Sequence, residues 1–299
     1  MFLKLQLQID LKSIVSISPC SHYFTFILSL HSMAEATKRY AVVTGANKGI
    51  GLETVRQLAS NGFTVVLTST DEKRGLEAVE KLNESGLSGQ VVFHQLDVAS
   101  SATVASLAAF FKTQFGKLDN LVNNAGIVGA IGDADAFIAV AKSTSMERGE
   151  VDLSKLMTET YELTEECLQI NYYGAKRTAE ALIPLLQLSD SPRIVNVSSF
   201  LGKLMYIYLA IGLKDKGWPC PFSAFVVSKA ALNAYTRILE KYPTFRINLV
   251  CPGFVKTDIN YNVSVLPVEE GAAKIVKLAL LPNHGPSGSF FVEYEVSDF

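Results

Sequence analysis

Residues 40–51 read YAVVTGANKGIG. Ala41, Val42, Val43 and Thr44 form an apolar, largely β-branched run that predicts a strand buried on both faces. Gly45, Gly49 and Gly51 follow, and residues 52–59 then carry helical periodicity. Glycine lets a backbone approach a ligand closely, while the first N–H groups of a helix and its dipole favour an anion. Glycines in a turn say little alone. Between a strand and a helix they predict a nucleotide-binding turn.

Outward from this stretch, strand and helix patterns alternate almost to the C-terminus. Strands are expected at 63–68, 91–96, 118–122, 193–198, 246–250 and 288–292. Helices are expected at 72–83, 101–115, 223–242 and 268–281, with a long amphipathic one at 162–188 that Pro184 would kink near its end. Such alternation predicts an α/β fold, a doubly wound parallel sheet of Rossmann type with helices on both faces. No internal repeat, low-complexity tract or Pro/Ser-rich linker divides residues 39–299, so they are read as one domain.

Composition narrows the function. The 299 residues carry a formal net charge of -2, which offers no basic surface to nucleic acid. A hydrophobic content of 48% suits a sheet covered on both faces. Cys20, Cys167, Cys220 and Cys251 are scattered without a CxxC pair or ligand-like histidine spacing. This argues against a metal site or disulfide framework and for a reducing, cytoplasmic setting. Residues 1–38 stand outside the pattern as an N-terminal extension. Their apolar run at 23–30 is too short to span a membrane. It precedes Ala34-Glu35-Ala36, a small-x-small pattern that a signal peptide would show, yet Asp10 and several Gln and Ser residues interrupt the leader. The preferred reading starts the protein at Met33 and leaves residues 1–32 disordered or not native.

Several motifs now coincide. TGANKGIG at 44–51, LDV at 96–98, NNAG at 123–126, Asn171 on the long helix, NVSS at 196–199, SKAALNAYTR at 228–237 and CPGFVKTD at 251–258 occur in that order. In these the chain resembles the short-chain dehydrogenase/reductase family. INYYGAKRTAEAL at 170–182, GWP at 217–219 and the LALLPN…GPSG pattern near the end are similar to its plant menthone, neomenthol and salutaridine reductases, and to animal carbonyl reductases.

The resemblance implies an NADP(H)-dependent oxidoreductase acting on a small-molecule ketone or alcohol, monomeric and without a membrane or nucleic-acid partner. Thr44, Gly45, Asn47, Lys48, Gly49, Ile50 and Gly51 would cradle the pyrophosphate and adenosine ribose, with Lys48 meeting a 2′-phosphate. Asp97 would bond the adenine amino group and Val98 lie against the ring. Asn123, Ala125 and Gly126 would line the dinucleotide, and Pro252, Gly253, Val255 and Thr257 would hold the nicotinamide end. After the second strand the chain has Thr68-Ser69-Thr70-Asp71, where the relatives place an arginine at the position of Thr70; Lys73 and Arg74 stand nearby.

Catalysis in the family rests on an Asn, a Ser, a Tyr and a Lys. Asn171, Ser199 and Lys229 match, and Lys229 also serves the nicotinamide ribose. The tyrosine position, four residues before Lys229, is Phe225. Phenylalanine keeps the ring and loses the acid. Three readings stay open: an impaired pseudoenzyme on an intact fold, a reductase whose proton comes from water or another hydroxyl such as Tyr206 or Tyr208, and a protein that holds NADP as a structural ligand. The connection 200–224 is also short, lacking most of the helical insertion of the relatives and carrying the apolar run 204–213 in its place. Apolar surface exposed there would favour self-association.

Overall fold

The computed structural model describes residues 38–141, 157–203 and 222–298. The opening run forms β1 (Arg39–Val43), parallel to β2 (Phe63–Ser69) on one side and to β4 (Asn120–Asn123) on the other. Side chains alternate across a strand. Ala41 and Val43 accordingly enter one apolar layer and Val42 the opposite one, all three fully buried.

The turn after β1 leads into α1 (Gly49–Ser60), and β2 leads through α2 (Glu72–Asn83) to β3 (Gln90–Gln95). Next come α3 (Ser101–Gln114), β4, a small antiparallel pair of β5 (Ile131–Gly132) and β6 (Met157–Thr158), and α4 (Ala134–Ala141) between those two. Then α5 (Tyr161–Leu168), a π-helical stretch Gln169–Gly174 and α6 (Ala175–Leu186) run on without a break. The chain continues through β7 (Arg193–Val197), α7 (Ser223–Ile238), β8 (Arg246–Cys251), α8 (Val268–Ala279), β9 (Phe290–Val292) and β10 (Glu295–Ser297). Among the described residues the main sheet has eight strands in the order β10-β9-β8-β7-β4-β1-β2-β3, parallel throughout except for β10. Residues from α1, α2 and α8 pack on one face, and residues from α3, α6 and α7 on the other. This is the expected doubly wound Rossmann-type sheet.

From β1 the order runs outward through β2 to β3, and from β4 outward through β7 and β8. That reversal leaves a crevice beyond the carboxyl ends of β1 and β4, where such folds bind ligands.

Three expectations needed correction. The helix expected over 162–188 contains the π stretch, and Pro184 lies within α6. The helix expected to 242 ends at Ile238 and closes in a 3-10 turn. The expected last strand is followed by another, β10, whose two-residue connection has Glu293 and Tyr294 at φ 47° and 73°. Hairpin turns with both φ values positive usually announce themselves by Asn or Gly, and here neither is present. The leader to residue 37, the 204–213 run, Tyr206 and Tyr208 lie outside the described residues. No described helix is long and apolar enough to cross a membrane.

Leu121 on β4 is fully buried in the layer beneath α3 and α6, whereas Leu188, just past α6, is 63% exposed. Leu121→Ala should lower unfolding free energy by about 2–5 kcal/mol, and Leu188→Ala by less than about 0.5 kcal/mol. Urea unfolding followed by circular dichroism checks both.

Candidate active site

The glycine-rich turn is shaped by what lies against it. Gly45 and Gly49 sit at φ +61° and +57°, in the left-handed region that disfavours side chains. A Cβ on Gly45 would lie 2.9 Å from Ala125 Cα, and one on Gly51 would lie 2.5 Å from Asn124 Nδ2. Buried Thr44 ties this turn to the segment after β4. Its Oγ1 accepts from the backbone N–H groups of Asn124 and Ala125, both at 3.0 Å. In return Asn124 Nδ2 donates to the carbonyls of Thr44 (2.9 Å) and Gly45 (3.0 Å).

Asn124 was not among the residues singled out from the sequence. Its place in NNAG was the available signal. Asn123 turns elsewhere: its Nδ2 donates to Asn196 Oδ1 (2.8 Å), whose own amide donates to Thr236 Oγ1 (2.8 Å), all within the sheet and its covering helix. Any contact Asn123 makes in the crevice is through its backbone.

At the start of α1, Lys48 is extended, no side chain caps the helix, and no acid stands in the first turn. The N–H groups there face the crevice uncapped beside glycines a Cβ would obstruct, a cradle that fits a pyrophosphate. Asn47 and Ile50 are half-buried on its rim. Lys48 Nζ pairs with Asp258 Oδ2 at 2.6 Å, with the two side chains 61% and 63% exposed. The hydrogen bond from Lys48, and after it that from Asn262, holds the Asp258 carboxyl below its usual range. So exposed a pair contributes about 0–1 kcal/mol and leaves Lys48 at little cost to re-pair.

At the tip of β2, Asp71 caps α2, accepting from Arg74 N at 3.0 Å and pairing with its guanidinium at 3.2 Å. Thr70 is exposed beside it. After β3, Asp97 accepts from Ala99 N–H at 2.9 Å, and buried Val98 packs against Gly174, where a Cβ would lie 2.7 Å from its methyl.

The cluster around Lys229 is assembled by the π stretch. A π bulge shifts the register of a helix and recurs at functional sites. Asn171 within it is buried, accepts from Ile127 N–H at 2.8 Å, and donates to Ile127 O and to Ser228 Oγ, each at 2.9 Å. Ser228 Oγ in turn donates to the Phe225 carbonyl at 2.7 Å. Lys229 is 5% exposed, and its Nζ donates to Val197 O at the end of β7 (2.9 Å). Burial pulls its pKa from the ordinary 10.5 down to about 8.

Phe225 lies one turn earlier on the same face of α7, its ring centroid 5.4 Å from Lys229 Nζ. A Cβ on Gly126 would stand 3.2 Å from Asn171 Oδ1 and 3.4 Å from Lys229 Nζ, so glycine keeps open the space these groups share. Ser199, half-buried just beyond β7, accepts from Leu201 N–H at 3.2 Å. Cys167 touches Asn171 and Ser228, and burial pushes its thiol up, which disfavours the thiolate.

The loop after β8 closes the circle. Pro252 is buried, Gly253 has φ +94°, and buried Val255 forms a bridge with Leu266. Thr257 and Asn260 form a capping box. A Cβ on Gly49 would sit 3.4 Å from Thr257 Cγ2, so this loop reaches back to the glycine turn. Residues 44–51, 97–98, 123–126, Ser199 and 252–257 thus follow the carboxyl ends of β1, β3, β4, β7 and β8, with Asn171 and Lys229 brought up by helices. The arrangement offers a phosphate cradle, a hydroxyl and a buried amine. At Phe225 it offers no acid.

A sequence profile of the short chain dehydrogenase family matches residues 39–265. The chain is 56% identical to a (+)-neomenthol dehydrogenase of Arabidopsis thaliana, aligning 89% of this chain with all of that one. It is 33% identical to carbonyl reductase [NADPH] 1 of Bos taurus over 86% of this chain and 96% of that one. Among solved structures, salutaridine reductase from Papaver somniferum superposes with a TM-score of 0.76 at 48% identity, covering 85% of this chain and 99% of that one.

Buried Lys229 sets a pH dependence. Folded, it loses its proton near pH 8, and unfolded near 10.5. Between those values the unfolded chain binds more protons, so stability rises with pH. The melting temperature of the wild type relative to Lys229→Met should be flat below pH 8 and climb from pH 8 to 10. Thermal melts at constant ionic strength check this, and a falling difference contradicts it.

Proposed function

The chain belongs to the short-chain dehydrogenase/reductase family, and we propose on that premise that it binds NADP(H) for oxidoreduction of a small-molecule carbonyl or alcohol, with its proton donor lost at Phe225. What supports this is Lys229 Nζ bonded to Val197 O two residues before Ser199, Gly126 open toward Asn171 and Lys229, and a phenyl ring one helical turn before the lysine. The related carbonyl reductase, named for NADPH, supports the coenzyme. So does the local chemistry: Lys48 stands in the phosphate turn, and Asp71 is engaged in capping α2 rather than in receiving a ribose 2′-hydroxyl. Buried, unpaired Cys167 and Cys251 support a reducing, cytoplasmic setting.

Bound NADPH would supply a hydride to the carbonyl carbon, or NADP take one from an alcohol. The chain's own residues would do the rest. Uncapped N–H groups of α1 would bind the pyrophosphate, and Lys48 the 2′-phosphate. The loop 252–257 would hold the carboxamide end, and Lys229 Nζ the nicotinamide ribose. Ser199 Oγ would donate to the substrate oxygen as charge builds there. The Asn171 side chain is engaged by Ile127 and Ser228, so any water that Asn171 orders toward Lys229 would rest on its main-chain carbonyl. Such a water, or another hydroxyl such as Tyr206 or Tyr208, would be the proton source when position 225 has none.

Phe225 also favours a second reading, a coenzyme-binding protein without useful turnover. General acid catalysis contributes about 10²–10⁴-fold. Phe225→Tyr should therefore raise reduction of a generic ketone or quinone by about 10²-fold or more, and adding Ser199→Ala should lower it again. NADPH consumption followed at 340 nm reads both. A variant that binds NADPH yet stays inert favours the second reading. Fluorescence titration should show NADPH binding more tightly than NADH, and Lys48→Ala should erase most of that preference. Equal affinities in the wild type refute the NADP assignment.

A further inference from the structure

Gly253 begins the loop proposed to hold the nicotinamide end, and an ammonium group stands beneath it. Lys274 on α8 is 3% exposed. A Cβ on Gly253 would lie 3.3 Å from Lys274 Nζ and 3.7 Å from Glu293 Oε1. Lys274 Nζ donates to that carboxylate oxygen at 2.7 Å, and Glu293 is its only ion-pair partner among the described residues. The anion comes from the β9–β10 connection, where Glu293 and Tyr294 adopt left-handed backbone at φ 47° and 73°. Side chains in this region are uncommon and persist where the surroundings enforce them.

Here the enforcement comes from α8. Lys277 Nζ donates to Tyr294 O (3.1 Å) and stands 5.0 Å from its ring centroid, and Lys274 Nζ is 5.9 Å from the same ring. One turn before Lys274, Gly271 lets α8 approach Val255, whose methyl would be 2.6 Å from a Cβ there. The helix therefore grips the loop at two points, Gly253 and Val255, and grips the terminal hairpin at Glu293 and Tyr294.

We propose that Lys274 and Glu293 are a positioning pair for the nicotinamide end of the coenzyme site, so that the terminal hairpin sets the loop 252–257. The proposal rests on the NADP(H) reading above. A buried ammonium needs its anion, because an unpaired charge there is strongly unfavourable. The pair thus fixes the distance between hairpin and α8, and with it the seat of Gly253. Neither side chain touches the adenosine end, which lies by α1 and α2.

Affinities of NADPH and of 2′,5′-ADP, which fills only the adenosine end, test this on the full chain. Lys274→Met should weaken NADPH about tenfold, the scale of a small misplacement of a contact, and leave 2′,5′-ADP within twofold. Lys274→Arg should recover most of the loss. Glu293→Gln, at a carboxylate whose side chain is 68% exposed, removes the charge while keeping the side chain's shape, and should give the same split. If both ligands weaken equally, or neither does while the melting temperature falls, the pair is merely structural and the proposal is overturned. If the wild type binds 2′,5′-ADP but not NADPH more tightly than 2′,5′-ADP, the loop adds nothing and the proposal also fails. A wild type that binds neither refutes the coenzyme reading itself.

Discussion

Two side chains hold open the place where the sheet changes direction. The connections from β1 and β4 leave toward opposite faces, so the backbone groups at the two tips lose the partners a continuing ladder would give them. Thr44 supplies an acceptor to two of the orphaned N–H groups, and Asn124 supplies donors to two carbonyls. Every distance in the crevice is measured from this junction. The glycines at 45 and 51 follow from it, because a tip tied so closely to its neighbour has no room for Cβ atoms.

The frame around Asn171 is a second, separate network. It runs from Ile127 through Asn171 to Ser228 and ends on the backbone carbonyl of residue 225. The side chain at 225 takes no part in it. The hydrogen bonds of this network therefore do not depend on whether a tyrosine or a phenylalanine stands at 225. The lysine is held just as independently, by Val197 O.

Much of this was legible in the sequence for a simple reason. Buried parallel strands read as continuous apolar runs, and β1 and α2 emerge as expected because the run Ala41–Thr44 and the charged helical stretch 72–83 are local signals. The crevice motifs were legible as residue types. What was hidden depends on distant partners. The π stretch is enforced by the contacts of Asn171 with a segment some forty residues earlier in the chain, and nothing in QINYYG announces it. The last strand was hidden because Glu295–Ser297 is too short for periodicity and its turn is enforced by α8. Asn123 and Asn124 look alike in sequence, and only the topology sends one into the sheet and the other to the crevice.

The three residues of β10 have one more consequence, which concerns keeping the chain in solution. β9 reads Phe-Phe-Val and is parallel to β8 on its inner side. Its outer row of N–H and C=O groups is covered by β10, which brings Glu295 and Ser297 to the border. An uncovered strand of that composition is a template on which another chain can add and grow a fibril. Proteolytic trimming past the hairpin would bare this template and, in the same cut, take Glu293 away from buried Lys274.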